Sequence, residues 1–336
     1  MAFVSDTLSL SPQKPLFASV LANTMLSVVP GISGAGPTPQ KTLLTPVLDA
    51  ELVAHGEITS MPARPNTPTG CPTPASITRA VMDLCGVTPL FINAGLVHRP
   101  TVPCFDVYGE PGNDPRVMDA VPRAGELFEA GRFIGTFLSR ACDMLVLGEC
   151  VPGGTTTALC VLRGLGYPAQ VSSSYVSNPT TMKEEVWKAV ASRLEEKRPG
   201  SPLDVARYAG DPMIPVSAGI AAGFGGDLVL AGGTQMLAVC AVLKALDLPV
   251  PRVATTVYVR DDPSANFSET AETIGVAVAY VDPEFGDLGH SGLARYCIGE
   301  VKEGMGAGGA MFMAVLMGYS PDQIRNHILG TVMAYR

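Results

Sequence analysis

From Gly86 onward, short apolar runs of β type alternate with stretches that repeat apolar residues every three or four positions. That alternation is the pattern of a parallel sheet assembled from βαβ crossovers. Strands are expected at 88–93, 143–148, 227–231, 252–259 and 275–281, and helices between them at 124–142, 155–165, 182–194, 234–246 and 307–317. The fold class that follows is α/β, a doubly wound, Rossmann-like and mostly parallel sheet with helices on both faces. Right-handed crossovers then place every strand C-terminus on one rim, where open α/β sheets bind ligands. A composition of 47% hydrophobic and 16% charged residues suits a sheet covered on both sides.

Before this alternation the chain reads differently. Proline and threonine crowd the segment Met61 to Pro74 (MPARPNTPTGCPTP). So many prolines exclude a central strand; the segment is either an extended connection lying across the body or a plain linker. A second loop-rich junction is expected at 199–215. The apolar stretch 16–29 contains Asn23 and Thr24 and follows an acidic start, so it lacks the basic lead of a secretory signal. No apolar run reaches the roughly 18 uninterrupted residues of a spanning helix, and no membrane association is expected. A net charge of −8 supplies no basic footprint for nucleic acid. The eight cysteines form no CxxC pair, and no two histidines stand at metal-ligand spacing. The cysteines therefore read as small buried hydrophobes in a reducing, cytoplasmic setting, with no metal and no cofactor called for.

The strongest local signal is MLVLGECVPGGTTTALC, a buried strand, a turn with Gly153 and Gly154, and a helix opening at Thr155. Glycines let the backbone approach a ligand, and the free N–H groups of a first helical turn favour an anion. Thr155 and Thr156 add hydroxyl donors. The turn is either a pocket for a phosphate dianion or an ordinary threonine-capped junction. It is no Walker A loop, since no lysine precedes the threonines. Glu149, at the strand end, is either a solvated rim charge or a group that orients a ribose or a proton donor. A similar turn carries Gly232 and Gly233 before Thr234, serving either a nucleotide-sized ligand or packing alone. A third strand end, Phe91 to Gly95, brings Asn93 to the same rim.

Near the C-terminus Glu300 and Glu303 precede a glycine-rich run and an apolar helix. Apolar surroundings raise a carboxylate toward the working range of a general base. Glu303 is the candidate base, with a helix-start acid as the plainer reading. Of four histidines, His290 alone sits in a glycine-rich loop beside a carboxylate, Asp287.

These segments together resemble the nicotinate-nucleotide–dimethylbenzimidazole phosphoribosyltransferase family. Gly148 to Thr156 is similar to the family's G-E-M-G-I-G-N-T-T loop, with Val151 in place of a glycine and Gly154 in place of an asparagine. Glu303-Gly304-Met305-Gly306-Ala307 resembles E-G-T-G-A, whose glutamate is the family's base. Gly232-Gly233-Thr234-Gln235 resembles G-G-F-E, and Gly289-His290 a G-H pair. The opening half, with NTMLSVVPGISGAG, is more like a divergent branch found in archaea and cyanobacteria.

The resemblance implies one catalytic unit over 1–336. Its sheet core would span about 87–290, and a small helical lobe would be made by 40–86 and 291–336. It implies a homodimer acting on small molecules, nicotinate mononucleotide and an aromatic base of dimethylbenzimidazole or purine type. Glu303 would take the proton from the attacking base. Gly153, Gly154, Thr155 and Thr156 would hold the 5′-phosphate, with Glu149 facing the ribose or base. Gly232, Gly233, Asn93 and His290 complete the expected substrate contacts. A non-catalytic nucleotide binder and a ribotide hydrolase or isomerase are the alternatives.

Overall fold

A computed structural model describes residues 2–6, 10–36 and 38–335. Among these the strands are β1 (Pro15–Ala22), β2 (Leu90–Gly95), β3 (Phe105–Asp106), β4 (Met144–Cys150), β5 (Asp227–Ala231), β6 (Arg252–Thr256) and β7 (Val278–Val281). The helices are α1 (Pro39–His55), α2 (Pro74–Cys85), α3 (Ala124–Leu138), α4 (Gly154–Gly164), α5 (Thr180–Lys197), α6 (Pro202–Ala209) and α7 (Met213–Gly223). They continue with α8 (Thr234–Ala245), α9 (Val257–Arg260), α10 (Phe267–Ile274), α11 (Ser291–Ala294), α12 (Ala307–Leu316) and α13 (Pro321–Ala334).

The sheet runs β3-β2-β1-β4-β5-β6-β7, with every pair parallel. The order reverses between β1 and β4, which makes their C-terminal ends the topological switch point. Period-two alternation divides each strand between two cores. Ala18, Val20, Leu145 and Leu147 face one apolar cluster, and Phe17, Leu21, Met144 and Val146 face the other. The first cluster takes in residues of α3, α4, α7 and α8; the second takes in residues of α2, α12 and α13.

The sheet begins earlier than expected. β1 lies in its interior, paired with both β2 and β4, although this apolar stretch falls outside the expected sheet core. The run expected at 252–259 ends as a strand at Thr256, where the chain turns directly into α9. The helix expected at 124–142 stops at Leu138. Before residue 86, where a proline-dense connection is expected at 61–74 and part of a small helical lobe at 40–86, the chain contains two helices with strong end signals. Thr38 and Thr73 accept from the first turns of α1 and α2, Pro39 and Pro74 stand at their starts, and Gly56 and Gly86 close them in the left-handed conformation. α13 starts in a capping box between Ser320 and Gln323.

The glycine run before α12 has a packing reason. The helix starts directly over the ends of β4 and β5: a Cβ on Gly306 would lie 3.0 Å from the Gly148 Cα, and one on Gly309 only 2.2 Å from the Ala231 Cβ. Gly330 of α13 has nothing within 4 Å of its would-be Cβ. The two positions should therefore respond to alanine with opposite signs in chemical denaturation. Gly309→Ala is expected to lose about 1–3 kcal/mol through overpacking. Gly330→Ala is expected to gain about 0.5–1 kcal/mol through helix propensity. A stabilised Gly309→Ala would contradict the close approach.

Candidate active site at the sheet switch point

A cleft of about 1270 Å³ opens over the switch point, somewhat above the size of ordinary small-molecule sites. Its floor comes from the loops after β1 (Ile32 to Gly36), β4 (Glu149 to Thr155) and β5 (Gly233 to Gln235). The proline segment 61–74 forms one wall, and Ser172 to Ser177 together with Glu300 to Gly304 form another. The proline segment is thus an ordered wall. Thr67 N–H donates to the Cys71 carbonyl at 2.8 Å and Thr73 N–H to the Pro65 carbonyl at 2.8 Å. Glu300 pins it from below, accepting from Thr67 at 2.6 Å and from Thr69 while pairing with Arg295. Those donors hold its carboxyl below the usual range against the opposing effect of burial.

Glu303 is fixed by backbone at the point where the glycine run enters α12. Gly304 N–H donates to its Oε1 at 3.1 Å, Gly308 N–H reaches both oxygens at 3.2 Å, and Thr256 N–H reaches Oε2 at 3.2 Å. The Thr255 hydroxyl adds a fourth donor at 3.3 Å. Burial outweighs these donors and pushes the carboxyl up to about 7. Glu303 thus accepts from the first turn of α12, as the plainer reading has it, and it also lines the cleft.

Glu149 lies in the cleft floor, only 3% exposed. Burial first, then the charges of Asp211 and Glu303, push it up to about 8. Val151 N–H donates to its Oε2 at 3.1 Å and the Gln235 side-chain amide at 2.6 Å. It is therefore a buried group, and the reading of it as a solvated rim charge is corrected.

Gly153 enters α4 in the left-handed conformation, at φ 77°. It and Gly154 line the cleft with Thr155. Thr156 does not: its hydroxyl is fully buried, with no hydrogen-bond partner. Thr157 donates to Asp211 at 2.5 Å, and burial pushes that acid up to about 6. Gly233 lines the cleft, while Gly232 lies just below, where its would-be Cβ is 3.6 Å from Glu149 Oε1.

Asn93 and His290 are not among the lining residues. Asn93 accepts from Gly95 and Leu96 N–H at 3.1 Å and so shapes its own turn. His290 caps α11, accepting from Leu293 N–H through Nδ1 at 3.1 Å. Of the cysteines, Cys297 is exposed and five are buried, with Cys150 in the lining of the cleft.

Several groups in or behind the cleft wall carry no sequence motif. Asp49, on α1, faces the cleft opposite Cys150. Lys302 donates to the Ser173, Gly299 and Tyr175 carbonyls at 2.9, 3.0 and 3.3 Å and lies 3.3 Å from Asp262. Lys183 donates to the Ser172 carbonyl at 2.5 Å, and burial lowers its ammonium to about 7. This cluster tethers the serine-rich loop to the residue before Glu303. The run SSSY was the visible hint, since three serines beside a tyrosine offer hydroxyls without a strand or helix pattern. Among the described residues no group of His, Cys, Asp and Glu is placed to hold a metal ion, and no helix is long and apolar enough to cross a membrane.

No protein-family model matches the sequence. It is 42% identical over 339 residues to a UPF0284 protein of Methanosarcina acetivorans, covering 98% of this chain and 97% of that one. It is 44% identical over 319 residues to a UPF0284 protein of Thermococcus gammatolerans, covering 93% and 96%. Among solved structures, a nicotinate-nucleotide-dimethylbenzimidazole phosphoribosyltransferase from Thermus thermophilus superposes with a TM-score of 0.62 at 18% identity, over 94% of this chain and 84% of that one. The α/β fold expected from the sequence is the fold of that enzyme.

The raised acids set a pH dependence on stability. Glu149 has a folded pKa of about 8 against an ordinary 4.5, so the folded chain keeps a proton that the unfolded chain releases across that window. Its contribution therefore falls as pH rises. Calorimetry of the ligand-free protein from about pH 5 to about pH 9 should show Glu149→Gln losing less stability over that range than the parent. Parallel curves would mean that Glu149 is ionised throughout.

Proposed function

The chain belongs to the UPF0284 family, and on that footing we propose that it is a pentosyltransferase. It moves phosphoribose from nicotinate mononucleotide to a ring nitrogen of an aromatic base of dimethylbenzimidazole or purine type. One observation carries the reading: the open N-terminus of α4 at Gly153 to Thr155 and the carboxyl of Glu303, pushed up to about 7, face one cleft at the switch point. The first suits a 5′-phosphate and the second a general base working near neutrality.

In this scheme the ring nitrogen of the base attacks C1′ from the face opposite the nicotinate. The C1′–N bond to nicotinate breaks with its electron pair, and Glu303 takes the ring N–H proton of the attacking base. Inversion at C1′ gives the α-linked ribotide. Positive charge that develops at C1′ is stabilised by the nearby carboxyls, in a floor that water reaches poorly. Gly153, Gly154 and Thr155 hold the phosphate, and Glu149 with Gln235 supports the floor beneath the ribose. In this reading the whole chain is one catalytic unit, working on small molecules as a homodimer in the cytoplasm.

A non-catalytic mononucleotide binder is the second reading, favoured by the four donors already engaging Glu303. Incubation with nicotinate mononucleotide and either dimethylbenzimidazole or adenine, followed by chromatography for the α-ribotide, separates the two. Glu303→Gln is expected to lower turnover about 10²- to 10⁴-fold while mononucleotide affinity stays within a few-fold. The parent's kcat/KM should rise with pH through about 7 as Glu303 loses its proton. Tight nucleotide binding without ribotide from any base would select the binder. Nicotinate release without an acceptor would select a hydrolase.

A further inference from the structure

The transfer chemistry leaves one acid of the cleft wall idle. α1 carries Asp49 to the cleft, where its oxygens meet two side-chain donors, the weak thiol donor Cys150 Sγ at 3.6 Å from Oδ2 and Thr73 Oγ1 at 3.4 Å from Oδ1. Among the described residues neither a cation nor a backbone amide reaches it. The other acids of the site are served differently. Glu303 has four donors, three of them backbone amides, Glu149 has Val151 N–H and Gln235, and Asp211 has Thr157 and Met213 N–H. A carboxyl in a cleft wall with so much unused hydrogen-bonding capacity is completed by what enters the cleft.

Its neighbours place it at the Glu303 end. Thr73 precedes Pro74, and the Pro74 ring lies 3.3 Å from where a Cβ on Gly304 would stand, beside Glu303. Cys150 follows Glu149 directly. Asp49 therefore stands between the Thr73–Pro74 wall beside Glu303 and Cys150, where β4 enters the phosphate turn, and a base seated beside Glu303 would adjoin it.

Resting on the transfer reading above, we propose that Asp49 selects the acceptor. Its carboxyl pairs with an edge that sets an amino N–H beside a ring nitrogen, as in an aminopurine, and disfavours an alkyl-substituted benzimidazole. One carboxyl oxygen accepts from the amino group while the other, as O–H, donates to the ring nitrogen. Glu303 remains free to take the separate ring N–H. Burial supports the donor half of this contact, since it pushes Asp49 up to about 7 and keeps the acid form populated near neutrality. A dimethyl-substituted edge offers neither partner and leaves the carboxyl buried and unpaired.

Titration calorimetry of the full chain with adenine and with 5,6-dimethylbenzimidazole tests this. Nicotinate mononucleotide is titrated separately, to report on the phosphate site. The parent should bind adenine about tenfold or more tighter than dimethylbenzimidazole. Asp49→Ala should abolish that preference by weakening adenine alone. Asp49→Asn, whose amide presents the same acceptor and donor, should retain it. A preference that survives Asp49→Ala, one that Asp49→Asn also loses, or none in the parent would overturn the assignment. Failure of the transfer reading shows elsewhere, as absent mononucleotide binding or absent ribotide, while the preference between bases is still read directly.

Discussion

The arrangement of the cleft depends on one backbone contact, that of Gly306 with Gly148. At this point the entry to α12 rests on β4 with no side chain between, and Gly306 takes a left-handed φ of 71° to do so. The approach brings the first amides of α12 down to the sheet rim. Glu303, three residues before Gly306, can then reach forward to Gly308 N–H and across to Thr256 N–H at the end of β6. A bulkier residue at either position would lift the helix and take the carboxyl away from the strand ends. The glycines are thus a spacing device, and the acid is located by what they permit.

The second organising fact is electrostatic. Asp49, Glu149, Asp211 and Glu303 are gathered at or under one cleft, and burial is the leading cause of the raised value of each. Of the cations of the region, Lys302 and Lys183 are committed to carbonyls and Asp262, and Arg295 to Glu300, while Lys41 and Arg64 line the cleft as exposed side chains. A site of this kind holds protons readily in the absence of ligand. It also favours a species that gains positive charge as it reacts, which is the electrostatic demand of an oxocarbenium-like transition state.

Much of this was legible in sequence wherever local chemistry dictates local shape. The strands leading to Glu149, Gly232 and Thr256 carry apolar runs closed by glycine or threonine, and the turns at Gly153 and Gly233 carry their own backbone requirement. β1 was not legible. As a central strand buried on both faces it lacks alternation, and its partners lie about seventy and more than a hundred residues away. α1 was hidden by Pro46 within it and by the prolines after it, although its threonine cap and closing glycine are ordinary signals. Asp49 went unseen for the same reason, because a lone acid on an unrecognised helix has no motif. Asn93 and His290 show the opposite error: polar residues in glycine-rich loops were assigned to the ligand when they serve their own turns.

The wall formed by residues 61–74 bears on how a ligand would meet this site. Five of its fourteen residues are prolines, and it is fastened at Thr67, Thr73 and Glu300. Such a segment surrenders little conformational freedom when a ligand arrives, because its freedom was already small in the unfolded chain. A flexible lid would set the ordering of a loop against every association. Here that ordering belongs to folding, and the cleft presents a standing surface whose selectivity rests on fit from the first encounter.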